Sequence, residues 1–152
     1  MLVSLRRAGA FSADLPRRRE SWRGNSLRSS FAVAQSDAIL IIDDEPSVAD
    51  ALRLILADRG HFVLVASTGR DGLELARREP VRIVITDLRL PDISGLEVLG
   101  ALAAERPQLP VILITSHGTP ELSAEARRAG AAAVLLKPFA PADIIRLVER
   151  FN

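Results

Sequence analysis

From Ala38 onward the chain settles into a repeating pattern. Five short apolar runs recur: AILII at 38–42, FVLVA at 62–66, RIVIT at 82–86, VILIT at 111–115 and AAVLL at 132–136. Each is too short for a helix and rich in β-branched residues or leucine, which predicts strands. None alternates polar with apolar, as a half-exposed strand would. Near-continuous apolar strands predict a parallel sheet covered on both faces. Between the runs lie segments with helical spacing. SVADALRLILADRG places Val48, Leu52, Ile55, Leu56 and Arg59 along one side, and Gly60 marks the stop. GRDGLELARRE and SGLEVLGALAAER follow the same logic, the second with Ser94 as its N-cap. TPELSAEARRAG is only weakly apolar and predicts the most loosely packed helix. APADIIRLVERF stacks Ile144, Val148 and Phe151, with Pro141 where a first-turn proline is welcome.

Strands and helices that alternate over short connections predict an α/β fold, a (βα)5 doubly wound parallel sheet with right-handed crossovers. No G-x-G-x-x-G follows the first run, which argues against dinucleotide binding. The flavodoxin-like strand order 2-1-3-4-5 is the natural five-strand arrangement.

Polar groups stand at the carboxyl ends of four runs. The first leads into Asp43, Asp44 and Glu45, the third into Asp87, the fourth ends at Thr115, and the fifth leads into Lys137. Ligands of open parallel sheets bind outside these ends, where the winding reverses, which here lies between strands 1 and 3. The two acidic groups would face each other there. Close carboxylates repel and need neutralising, and one lysine is too little for three. A divalent cation with oxygen ligands, Mg2+ or Mn2+, is the natural complement. Mg2+, a hydroxyl and a lysine suit a phosphoryl group, and Asp87 is a candidate nucleophile that would form an aspartyl phosphate. Taken singly, an Asp after a strand is more often a cap or turn residue. The conjunction at four strand ends carries the reading.

Composition sharpens this in two places. The chain has no cysteine, which excludes disulfides and thiolate metal sites. Its net charge of +1 is unevenly spread. Residues 1–36 hold seven arginines against Asp14 and Glu20, whereas residues 37–152 hold twelve arginines and one lysine against seventeen acids. The domain is therefore mildly acidic, which argues against direct DNA binding by it. No run is long enough to span a membrane.

The stretches IIDDEP (41–46), TDLRLPDISGLEVL (86–99), VILITSHG (111–118) and GAAAVLLKPF (130–139) resemble the receiver domain of two-component response regulators over about residues 37–152. The D-x-x-x-P-x-x-x-G pattern stands at Asp87, Pro91 and Gly95, and the wording is most similar to receivers of nitrogen regulation. The resemblance implies that Asp87 accepts a phosphoryl group from a sensor histidine kinase. It implies Mg2+ held by Asp44, Asp87 and the backbone carbonyl of Arg89, with Asp43 acting through water. It also implies a Thr115 switch, a Lys137 that pairs with the phosphoryl group, and a cis Lys137–Pro138 peptide. Arg89 and His117 occupy positions that tune phosphoryl lifetime in the family. A departure is Val134, where the family usually carries Phe or Tyr three residues before the lysine. The output is expected through a protein partner at the face of helix 4, strand 5 and helix 5. A phosphorylation-dependent dimer is left open, and a cytoplasmic, stand-alone receiver is expected. Such a protein would catalyse only its own phosphorylation and dephosphorylation. Two alternatives are a pseudo-receiver that acts only as a binding module, and an aspartyl-phosphate hydrolase of the haloacid-dehalogenase type. The second would want a D-x-D after strand 1, where Asp43-x-Glu45 stands.

Residues 1–36 are rich in Arg and Ser and predict a disordered tail. Such a tail reads as a basic arm for nucleic acid or lipid, as an organelle transit peptide, or as a mis-assigned start with Val33 as the true beginning.

Overall fold

The structure, a computed structural model, describes residues 37–151. The readings of the basic tail fall outside these residues. Ten elements alternate: β1 (Ala38–Ile42), α1 (Pro46–Asp58), β2 (Val63–Ala66), α2 (Gly69–Arg78), β3 (Val81–Asp87), α3 (Gly95–Glu105), β4 (Val111–Thr115), α4 (Pro120–Arg128), β5 (Ala133–Leu136) and α5 (Pro141–Arg150). The sheet is parallel, in the order β2-β1-β3-β4-β5.

The strands are apolar throughout because each face carries its own core. Successive side chains of a strand point to opposite faces. Leu40, Ile42, Leu64, Val84 and Val111 meet Leu73, Leu75, Val98, Leu99 and Leu102 of α2 and α3. Ile39, Ile41, Val65, Ile83, Ile85, Ile112 and Ile114 meet Leu52, Leu56, Ile144 and Val148 of α1 and α5. A one-residue slip in register would move every strand side chain into the wrong core, so the pairing is fixed. β5 departs from the expectation of two covered faces. It pairs only with β4, its residues are half-buried, and Leu136 is exposed.

Caps and turns set the connections at both ends of the sheet. Gly60 adopts a φ of 89°, as a helix stop requires. The Ser94 hydroxyl accepts a hydrogen bond from the Glu97 N–H at 3.1 Å and starts α3. α4 buries only Ala126, in keeping with its weakly apolar sequence. The loop between Asp87 and α3 turns back on itself, and the Gly95 N–H donates to the Leu88 carbonyl at 2.7 Å. A methyl on Gly95 would strike the Asp87 carbonyl oxygen and lie 2.9 Å from the Leu88 Cα. Those are backbone atoms that cannot step aside. Gly100, in the same helix, has nothing within 4 Å of a methyl.

The two glycines therefore predict opposite effects in urea unfolding. Gly95→Ala should lose about 1–3 kcal/mol through overpacking. Gly100→Ala should gain about 0.5–1 kcal/mol from improved helix propensity. Equal effects at the two positions would contradict the close approach at Gly95.

Candidate functional site

The register decides what meets at the carboxyl ends. Ile42 of β1 pairs with Thr86 of β3, so the next residues, Asp43 and Asp87, stand side by side. Asp87 pairs with Ile114, and Thr115 pairs with Leu136, which brings Lys137 to the same rim. The Lys137 N–H donates to the Thr115 carbonyl at 2.8 Å, which carries the β5 end one residue further. Lys137 precedes a cis peptide to Pro138, as the resemblance implied.

The Lys137 ammonium then lies 3.5 Å from Asp43 Oδ2, 3.6 Å from Asp87 Oδ1 and 3.8 Å from Glu45 Oε1. Asp43 and Asp87 are buried, whereas Asp44 and Glu45 are exposed. One oxygen each of Asp43, Asp44 and Asp87 falls within a 4.8 Å group, the one such cluster found among the described residues. The Glu45 N–H donates to Asp43 Oδ1 at 2.9 Å.

Burial pushes the Asp43 carboxyl up to about 6, with the Asp87 and Asp44 charges adding to the rise. The Glu45 N–H and the Lys137 ammonium only partly offset this. Asp87 is raised too, chiefly by burial, against the pull of Lys137 and the backbone N–H groups of Leu88 and Arg89. One ammonium thus leaves negative charge poorly compensated in a low-dielectric rim. A hard divalent cation fits this donor set, which offers carboxylate oxygens and neither imidazole nor thiolate.

Thr115 is buried at the end of β4, but its hydroxyl is held within its own loop. Oγ1 accepts from the His117 N–H at 3.0 Å. The side chains of Arg89 and His117 are exposed on the loops that flank the acids. Two further residues take part to which the sequence assigned no role. Glu45 stood out only as a neighbour of Asp43 and Asp44, yet it shares the ammonium. Asp92 accepts from the Gly69 N–H at 2.8 Å and the Arg70 N–H at 2.9 Å. Burial alone would raise its carboxyl, but these N–H groups win and hold it low. Asp92 thereby ties the loop that follows Asp87 to the start of α2.

The raised Asp43 predicts a pH effect on the metal-free protein. A carboxyl raised in the fold favours folding below its unfolded value of 3.8, and that stability is lost as pH rises through about 6. In chelator, Asp43→Asn should match wild type near about pH 4 and exceed it by up to about 3 kcal/mol near pH 7. Urea unfolding across that range measures it, and an Asp43→Asn protein less stable than wild type at pH 7 would contradict it.

A family model described as the response regulator receiver domain matches residues 39–149. An uncharacterized 14.6 kDa protein of Leptolyngbya boryana is 36% identical over 122 residues, which cover 78% of this chain and 92% of that protein. Transcriptional regulatory protein KdpE of Mycobacterium tuberculosis is 43% identical over 101 residues, 66% of this chain and 44% of KdpE. The chain thus spans less than half the length of KdpE. Among solved structures, a CheY-like response regulator receiver domain protein from Methanospirillum hungatei JF-1 superimposes with a TM-score of 0.72 at 31% identity. That match covers 76% of this chain and 92% of the other. Family model, sequence relatives and fold agree with the acidic rim: the chain belongs to the response regulator receiver domain family of two-component systems.

Proposed function

We propose that the domain is a phosphoacceptor switch, with Asp87 as the acceptor. The observation that carries this is the convergence of Asp43, Asp44 and Asp87 on one rim beside the Lys137 ammonium. Family membership supports it, since receiver domains generally take a phosphoryl group from a histidine kinase and bind Mg2+ at an acidic site.

Asp43, Asp44 and Asp87 would hold Mg2+, together with the main-chain carbonyl of Arg89. The ion would supply positive charge to the oxygens of the transferring phosphoryl group. Asp87 presents a carboxylate oxygen as nucleophile. The new O–P bond forms at that oxygen while the N–P bond of the kinase phosphohistidine breaks, and the electron pair stays on the imidazole nitrogen. Lys137 follows the arriving group with a compact charge, and the buried rim limits access of water. The chain's part is positioning and charge neutralisation, the main requirement of phosphoryl transfer. It catalyses only its own phosphorylation and the loss of that group. Thr115 would leave the His117 N–H and turn its hydroxyl toward the phosphoryl oxygens. Arg89 and His117, exposed beside the site, set how long the group survives.

The signal would leave through α4, β5 and α5 to an effector protein. α4 is the least anchored helix, and β5 is the half-exposed edge. A hollow of about 460 Å³ opens between β5 and α5, lined by Val134, Leu135, Asp143, Arg146, Leu147 and Arg150. Among the described residues no helix is long and apolar enough to cross a membrane.

Incubation with Mg2+ and acetyl phosphate, followed by intact mass, should show one added phosphoryl group on wild type and none on Asp87→Asn. Decay of the adduct should change several-fold in Arg89→Ala and His117→Ala. Absence of an adduct on wild type would overturn the proposal in favour of a pseudo-receiver, and rapid multiple turnover would favour a hydrolase.

A further inference from the structure

Leu136 is mostly exposed, at 52%, although it is a large apolar residue next to a buried polar site. It ends β5 immediately before Lys137, and its register partner is Thr115. Partners in a parallel ladder project to the same face, so Leu136 stands beside Thr115. Its side chain lies on the loop that follows Thr115. A methyl built on Gly118 would run into Leu136 Cδ2, and would come within 3.3 Å of its Cγ and 3.5 Å of its Cδ1.

Gly118 is not among the glycines with positive φ, so backbone conformation gives no reason for glycine here. What a side chain here would meet is the flexible end of Leu136, which is exposed and would have to swing aside. The Thr115–Gly118 loop is therefore fastened to β5 twice. The Lys137 N–H holds the Thr115 carbonyl at 2.8 Å, and Leu136 rests against one side of Gly118, which is itself exposed. Between these points the His117 N–H occupies the Thr115 hydroxyl.

We infer that Leu136 is a positioning residue for Thr115, a latch that rests on Gly118 and holds the loop with the Thr115 hydroxyl turned to His117. This rests on the phosphoacceptor reading and deepens it. A turn of Thr115 toward Asp87 has to carry the loop with it, and Gly118 then slides from under Leu136. The contact is made in one arrangement and lost in the other, so its removal shifts the balance toward the phosphoryl-ready loop. It also gives the loop a mechanical link to the edge strand where Val134 provides no large lever. Leu136 itself touches no reacting atom.

The test measures the rate of phosphoryl uptake from acetyl phosphate with Mg2+ on the full chain, with amide NMR of residues 116–119 as the spectroscopic readout. Leu136→Ala and Gly118→Ala should each take up the group several-fold faster than wild type. The loop amides of unphosphorylated Leu136→Ala should move toward their positions in phosphorylated wild type. Leu136→Met should restore the wild-type rate. Gly118→Ala should add nothing in the Leu136→Ala background, because the space it needs is already open. Equal or slower uptake by Leu136→Ala, no rescue by methionine, or additive effects of the two alanines would overturn the latch. Normal uptake with unchanged rates defeats the latch alone, whereas no uptake by wild type defeats the phosphoacceptor reading and the latch with it.

Discussion

Two buried carboxylates share one ammonium, and the rest of the domain is arranged so that they cannot move apart. Asp43 and Asp87 follow paired positions of β1 and β3, and each is raised by burial. Separation of their backbones would require the strands to slip. The slip is blocked because alternate residues of both strands fill two different cores. The hydrophobic sheet thus holds a charge arrangement that is unfavourable on its own. Local frustration of this kind is kept where a ligand or reaction makes use of it. A cation and a phosphoryl group would convert the repulsion into binding energy.

The single lysine fits this constraint. Its ammonium reaches Asp43, Glu45 and Asp87 at 3.5–3.8 Å from a side chain only 14% exposed. A guanidinium is a broad planar fork suited to one carboxylate at a time, whereas an ammonium is a compact point charge on a flexible stem. In a chain whose other nineteen cations outside histidine are arginine, the smaller group stands at this site. The loops around it are held with similar economy. Gly95 lets α3 start directly behind the Asp87 carbonyl, and Asp92 clamps the same loop to α2. The Thr115 loop is held to β5 through the Lys137 N–H and the Leu136 side chain.

The strands were legible because their two buried faces leave no polar interruption, and the runs at 38–42 and 111–115 match β1 and β4 at both ends. The meeting of Asp87 with Asp43 and Lys137 was legible because parallel order and strand ends suffice to place them. The exposure of β5 was not. AAVLL is as apolar as the other runs, and β2, which also has one neighbour, is fully buried, so the difference lies in the thin cover over β5, where α4 buries only Ala126. The difference between Asp43 and Asp44 was also hidden. They are adjacent in sequence, but only Asp43 turns inward against the sheet. Asp92 bonds to N–H groups more than twenty residues away, a contact for which no local pattern exists. The resemblance to receivers supplied the roles of Thr115 and Arg89, which spacing alone left open.

The account stands on unrelieved negative charge at the rim, and cation binding reports it directly. Thermal unfolding at neutral pH should be followed as Mg2+ is raised, for wild type and for Asp43→Asn/Asp87→Asn. A ligand that binds only the folded state raises the melting temperature with concentration. Wild type should show that rise from a low metal-free value. The double variant should start higher and respond little. A wild-type melting temperature indifferent to Mg2+, or the same rise in both proteins, would contradict the account.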